Sequence, residues 1–286
     1  MNDLPQTLKE SYEYDCKQCP DLEIGSDFIN VSDVLKAHYI LADYFTDISA
    51  EQELEKMLVG VRSYSLLGSA LGRQVVEFDG RRKYTNHIDI AATLFFGLVK
   101  DHAFYDGNKR TALLTLLFQL QKYSYYPKAR FKDFEKLVVA IADNKLKEKF
   151  WPEWKKFDKT NDPEIQTISY CLRKMVVKKN NAFHMDITTR EYCKILEGVG
   201  VQWRLDGQKL KFTRTIQGFW RKKEYAFSVG FYGWTRTVQP KMARDIASNL
   251  DLLEEYPSFS SMADPDSSIY RLVKEFESPL RRLKDK

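Results

Sequence analysis

The run Thr111-Ala-Leu-Leu-Thr-Leu-Leu-Phe-Gln-Leu-Gln121 is apolar on nearly every side of a helix. Such a helix cannot lie on a surface and has to be wrapped by other helices at the centre of a domain. The chain supplies them. Ser32 can cap a helix running to about Phe45, with Leu35, Ala37, Ile40, Leu41 and Tyr44 near helical spacing, and Glu51 to about Leu67 is a second candidate. Asn86 as N-cap, with Asp89 at N3, opens a third helix that carries Ile90, Ala91, Leu94, Phe95 and Leu98 on one stripe and stops near His102. Phe131–Phe150 reads as a fourth. The one interruption is Asp79-Gly80, flanked by Gln74–Phe78 and Arg81–Thr85, a pattern that predicts a β-hairpin with a primed turn.

From Trp151-Pro152 to Asn161-Asp162-Pro163 the helical pattern ends. Thr188–Glu197 is a short helix stopped by Gly198, and Val201–Leu205, Lys209–Arg214 and Glu224–Phe231 alternate like strands. A helix at Lys241–Leu253 follows Pro240, giving the order α-β-β-β-α of a small α+β module. The expected fold is therefore a mainly α domain with a hairpin, over residues 29–160, preceded by an extension at 1–28 and followed by a smaller basic α+β domain at 161–286.

Charge is unevenly placed. Residues 1–50 carry 3 basic and 10 acidic side chains, whereas residues 171–223 carry 13 basic and 4 acidic ones. The second stretch suits a phosphate-bearing partner such as RNA, although short basic runs such as Lys178-Lys179 and Arg221-Lys222-Lys223 are also ordinary solvated loop charges. No apolar run approaches the roughly 18–20 residues of a spanning helix, and Met1–Glu10 lacks a basic start with an apolar stretch behind it. Cysteines at 16, 19, 171 and 193 are too few for a disulfide scaffold. Cys16-x-x-Cys19 has no second pair with which to enclose zinc. The expectation is a reduced, cytoplasmic protein with no membrane partner.

The stretch that carries chemistry is His102-Ala-Phe104-Tyr-Asp106-Gly107-Asn108-Lys109-Arg110. It places a histidine at the end of one helix and a polar, glycine-containing turn at the start of the next. The first N–H groups of a helix have no intrahelical partner and lie at the positive end of its dipole, so the turn Asp106–Lys109 should cradle an anion. Lys109 and Arg110 add full charge, and Asn108 adds an amide donor. Asp106 beside bound phosphates suits magnesium, which takes one or two carboxylates and phosphate oxygens. His102 can accept the proton of an attacking hydroxyl. There is no P-loop and no complete dinucleotide fingerprint.

At these residues the sequence resembles the Fic/Doc family, whose signature is H-x-F-x-[DE]-G-N, followed in classical Fic enzymes by G-R-x-x-R. Lys109 stands where Fic has its second glycine and Leu113 where it has its second arginine; both are shared with the Doc branch, whose N-K-R-T-A matches Asn108 to Ala112. The resemblance implies ATP and Mg2+ as cofactors, with His102 as general base, Asp106 as magnesium ligand and Gly107, Asn108, Lys109 and Arg110 as the nucleotide-phosphate site. It gives Phe104 the structural task of locking the loop, and the hairpin that of a flap holding the target. In the Doc branch it further implies phosphoryl transfer to a protein hydroxyl, a translation factor being the target of Doc itself, under restraint by an antitoxin. Transfer of AMP, as in Fic, is the alternative.

The second half is faintly similar to HicA-type modules of the double-stranded-RNA-binding fold, without their catalytic histidine, which would fall near Gln208 or Lys209. A competing expectation is therefore a nucleic-acid-binding protein with a nucleotide-sensing module. His38, His87 and His184 stand without a ligand set and read as structural residues.

Overall fold

The computed structural model describes residues 4–25, 27–52, 57–178, 187–217, 222–253, 262, 269 and 272–283. The chain divides into two units, Met1–Lys178 with Ile269–Lys286, and Lys179–Ser268. It is mainly helical, with small antiparallel sheets.

In the first unit α1 spans Gln6–Gln18, α2 Val31–Gln52, α3 Tyr64–Gly72, α4 His87–Lys100, α5 Asn108–Lys122 and α6 Phe131–Ala142. The short α7 (Leu146–Lys149) and α8 (Trp151–Trp154) lead to α9 (Pro163–Met175). The helix that is apolar all round is α5. Ala112, Leu113, Leu114, Leu116, Leu117 and Leu120 are all buried, and α2, α4 and α6 pack around it. One of its polar side chains, Gln119, bonds inside the core. The Gln119 Nε2 donates to the Gln74 Oε1 at 2.8 Å, and the Gln74 Nε2 donates to the Ile29 carbonyl at 2.9 Å.

Several boundaries differ from the sequence expectation. Helix α2 runs past Phe45 to Gln52. The expected helix from Glu51 to Leu67 is not continuous, because Gly60 takes φ +116° and Val61 enters an extended bridge with Phe104. Ser63 then starts α3, its side chain accepting from the Leu66 N–H. The hairpin is shorter than expected, with β1 at Glu77–Phe78 and β2 at Arg81–Arg82, since Arg73–Val75 is a 3-10 turn. Its turn has the expected primed form, with φ +51° at Asp79 and +71° at Gly80. The expected helix Phe131–Phe150 breaks at Asn144, which takes φ +58°.

The domain borders also shift. The segment expected as an N-terminal extension holds α1, and Leu8, Tyr12, Cys16 and Cys19 pack against the main core. Helix α9, expected beyond the boundary at 160, packs on α4 and is tied to it by Arg173 Nη2 to Asp89 Oδ1 at 2.5 Å. The strand that follows it, β4 (Val176–Lys178), pairs with β3 (Tyr125–Pro127). Residues beyond 268, also expected in the accessory domain, return to the first core. Leu272, Val273, Phe276, Leu280 and Leu283 are buried there, and Arg282 pairs with Glu135 at 2.6 Å.

The second unit has the expected order: α10 (Thr189–Gly198), β5 (Val201–Asp206), β6 (Lys209–Gln217), β7 (Lys222–Gly230) and α11 (Pro240–Asn249). Thr188 and Glu191 form a capping box at the start of α10. The sheet order is β5-β6-β7, with Trp203, Phe212 and Phe227 in one cross-strand row toward the helices. The next row, Arg204, Lys211 and Ser228, belongs to the opposite face. Among the described residues no helix is long and apolar enough to cross a membrane.

Candidate active site

Helix α4 ends in a capped turn and α5 begins at residue 108, so residues 101–107 form a tight connection between two buried helices. His102 sits in it at φ +48°, a left-handed conformation that costs a non-glycine residue roughly 1–2 kcal/mol. The surrounding chain holds it there. The Arg62 Nη2 donates to the His102 carbonyl at 2.7 Å, and the Ala103 carbonyl accepts from the N–H groups of Arg62 at 2.8 Å and Ser63 at 3.1 Å. The Tyr105 N–H reaches the Gly60 carbonyl at 3.2 Å, so residues 60–63 brace the whole loop. The imidazole itself is exposed. Strain of this kind, kept in place by several hydrogen bonds, is common where a side chain has to be presented in one direction.

Asp101, one residue earlier, faces Arg73 at 3.6 Å. Burial pushes its carboxyl above the ordinary range, with Arg73 opposing. This pair joins the end of α4 to the 3-10 turn that leads into the hairpin.

Phe104 is the loop's anchor. Its ring is 2% exposed and stacks on His38, with centroids 4.1 Å apart. Its backbone is gripped by Asn108, whose Oδ1 accepts from the Phe104 N–H at 2.9 Å and whose Nδ2 donates to the Phe104 carbonyl at 3.0 Å. The Asn108 carboxamide, expected as a donor to an anion, is thus engaged with the loop's own backbone.

The helix start follows. Gly107 is the N-cap residue of α5 and takes φ +73°. The Asp106 Oδ1 accepts from the Gly107 N–H at 2.5 Å and lies 3.5 Å from the Arg110 Nη2. Arg110 is itself buried, with its guanidinium 5.0 Å from the Phe45 ring centroid. Lys109 is only half-buried, so the two cations divide the work: Arg110 fixes Asp106 from inside, and Lys109 lies nearer the solvent. The Asp106 carboxylate is partly exposed. One fixed carboxylate next to a helix N-terminus matches the donor set that magnesium uses with a polyphosphate.

Residues 28–120 match the Fic/DOC family model. The matched segment holds α2 to α4, the hairpin, the histidine loop and most of α5, and it stops before α6 and the whole second unit. Comparison with curated proteins and with solved structures gives no match. Members of that family are, in general, nucleotide-using transferases that act on protein.

All six residues expected from the sequence lie in this one loop and the first turn of α5. The structure adds others from distant segments. His38 is fully buried; its Nε2 accepts from the Gly60 N–H at 3.1 Å and its Nδ1 lies 3.1 Å from the Thr111 Oγ1. The first contact leaves the proton on Nδ1, directed at Thr111. Burial and the Arg110 charge push its pKa down to about 3, so it stays neutral. A histidine among Val34, Leu35, Ala37, Ile40 and Leu41 was the signal for it, a polar residue inside an apolar stripe. Arg62 had no such signal, nor did Met57, whose side chain packs against Gly107. Among the other histidines, His87 stacks on Tyr123 at 4.1 Å, and His184 lies outside the described residues.

Proposed function

We propose that the protein transfers the γ-phosphoryl group of ATP to a hydroxyl of another protein. The observation that carries this reading is an exposed histidine, held in a strained and hydrogen-bonded loop, immediately before a helix N-terminus that offers Gly107, Lys109 and a fixed Asp106. His102 takes the proton of the acceptor hydroxyl. The hydroxyl oxygen then bonds to the γ-phosphorus as the bond from that phosphorus to the bridging oxygen breaks, and ADP leaves. The backbone N–H groups at the start of α5 and Lys109 meet the phosphate charge. Asp106 would hold magnesium, which supplies charge neutralisation on the phosphates.

Phosphoryl transfer is favoured over AMP transfer by Lys109 and Leu113. Leu113 is fully buried, so the position of the second Fic arginine is taken by a core leucine. With Arg110 turned to Asp106, the side-chain charge nearest the solvent at this helix start is Lys109. Incubation of the protein and cell extract with magnesium and ATP labelled at the α or γ position tests the choice. A target labelled only from the γ position, and not by His102→Ala or Asp106→Ala, is the expected result. Label from the α position would make the protein an AMP transferase. A toxin role with an antitoxin partner fits this activity.

For the second unit we propose binding to RNA phosphates. Arg204 and Lys211 stand directly opposite each other on neighbouring strands, and although Lys211 pairs with Asp206, they put two cations side by side where a phosphate could be met.

A further inference from the structure

A cleft of about 610 Å³ opens beside the histidine loop, between α1 and the brace at residues 59–64. Its walls include Glu10, Tyr14 and Asp15 from α1, Arg62 and Tyr64 from the brace, and Tyr105 from the loop itself. Tyr14 and Tyr105 are 59% and 60% exposed, unusual for aromatic side chains. Both lie near enough to the Tyr64 hydroxyl to add to the effect of burial and of Asp15, which push that phenol upward. With the buried Tyr39, four tyrosines thus converge on one open cleft, with two carboxylates.

The cleft's charges are arranged unequally. Asp15 is buried and accepts from the Tyr39 hydroxyl at 2.7 Å, the Tyr64 hydroxyl at 2.8 Å and the Val61 N–H at 3.3 Å. Arg62, the cation of the wall, donates to the His102 carbonyl. Glu10 is exposed, on a helix that belongs to the most acidic part of the chain. The wall carries two carboxylates against one guanidinium, and aromatic faces beside carboxylates attract cations.

We propose that this cleft docks a lysine- or arginine-bearing segment of the protein substrate and so helps to choose which hydroxyl reaches His102. The proposal rests on the transferase reading for its purpose, but its binding step can be measured without turnover. Tyr105 is three residues from His102, at most about 11 Å along the chain at 3.8 Å per Cα step. An extended substrate advances roughly 3.3–3.6 Å per residue, so its basic residue belongs about three or four positions from the modified hydroxyl.

The test uses the full chain and fluorescence anisotropy. The probe is a fluorescein-labelled, alanine-based peptide carrying one threonine and, three and four positions on, two arginines; a second peptide has glutamates in their place. The arginine peptide should bind roughly tenfold more tightly than the glutamate peptide, and Tyr14→Ala and Glu10→Gln should each weaken it by about threefold to tenfold. Glu13→Gln, on the same helix but outside the cleft, should leave the affinity near that of the unaltered protein. Equal binding of the two peptides, or unchanged affinity in Tyr14→Ala and Glu10→Gln, overturns the proposal. Weaker ATP binding by Tyr14→Ala would give the cleft to the nucleotide and also overturn it. Cleft-dependent binding without any phosphoryl transfer would uphold the docking site and remove only the transferase reading.

Discussion

A β-carbon at position 107 would stand 2.7 Å from the Met57 methyl, on a backbone already at φ +73°. Gly107→Ala therefore meets a conformational penalty of about 1–2 kcal/mol and a smaller steric one, since the end of the Met57 side chain can shift. A lower melting temperature and weaker ATP binding are expected. Adding Met57→Ala should return the steric share only, which a double-mutant cycle reads as favourable coupling. His38 gives a prediction of a different kind. Its folded pKa, about 3, lies below the ordinary 6.5, so the unfolded chain binds the proton more readily. Its contribution to stability is complete above pH 6.5 and is lost progressively as pH falls toward 3. Between about pH 6.5 and 5, before most carboxylates titrate, the protein should lose stability with proton uptake on unfolding. His38→Asn should be less stable at neutral pH and show a flatter decline over that interval, as measured by urea unfolding at each pH.

At the scale of elements, α3 and α4 approach so closely that Gly97 has no room for a side chain. An added β-carbon would meet the Arg73 Cδ at 2.8 Å and the Ala70 Cα at 3.0 Å. Arg73 could shift, but the Ala70 backbone can move only if α3 moves with it. Gly97→Ala should cost roughly 1–3 kcal/mol and disturb the Arg73–Asp101 pair at the histidine's threshold. A fall in melting temperature, with a larger fall in transfer rate than in ATP affinity, checks this. Helices α4 and α5 were legible because the apolar stripe and Asn86 cap of α4 and the near-unbroken apolar run of α5 are local signals. The end of α2 and the start of α3 were not, since residues 57–63 are shaped by pairing with residues 103–105, which no local pattern displays. The six site residues could be read because they fall within nine consecutive positions, 102–110. His38, Arg62 and Met57 reach the site through tertiary packing alone.

For the whole molecule, the sequence shows an acidic beginning and a basic stretch at 171–223, and the structure divides that stretch. Residues 173–178 belong to the first unit, while 190–217 and 222–223 lie in the second. Some of its charges are also spent inside the fold. Arg214 is buried and donates to the carbonyls of Leu250 at 3.4 Å and Asp251 at 2.5 Å, closing the end of α11. Lys223 lies 4.8 Å from the Tyr225 ring centroid, and Lys211 pairs with Asp206. A partner with phosphates would therefore meet far fewer cations than the composition suggests. Each phosphate neutralised releases condensed counterions, so the slope of log affinity against log salt counts the contacts, at about 0.9 each on duplex DNA and 0.7 on single strands. Binding of the full chain to a structured RNA hairpin should give a slope of about two to three. Arg204→Glu with Lys211→Glu should lower it by roughly one unit per residue if both touch phosphate. These residues stand on the sheet face opposite the Trp203–Phe212–Phe227 row, so the exchange leaves the core intact. A slope that the double variant does not change would move RNA contact away from this face. No retardation of the hairpin even at low salt would remove RNA as the partner of the second unit.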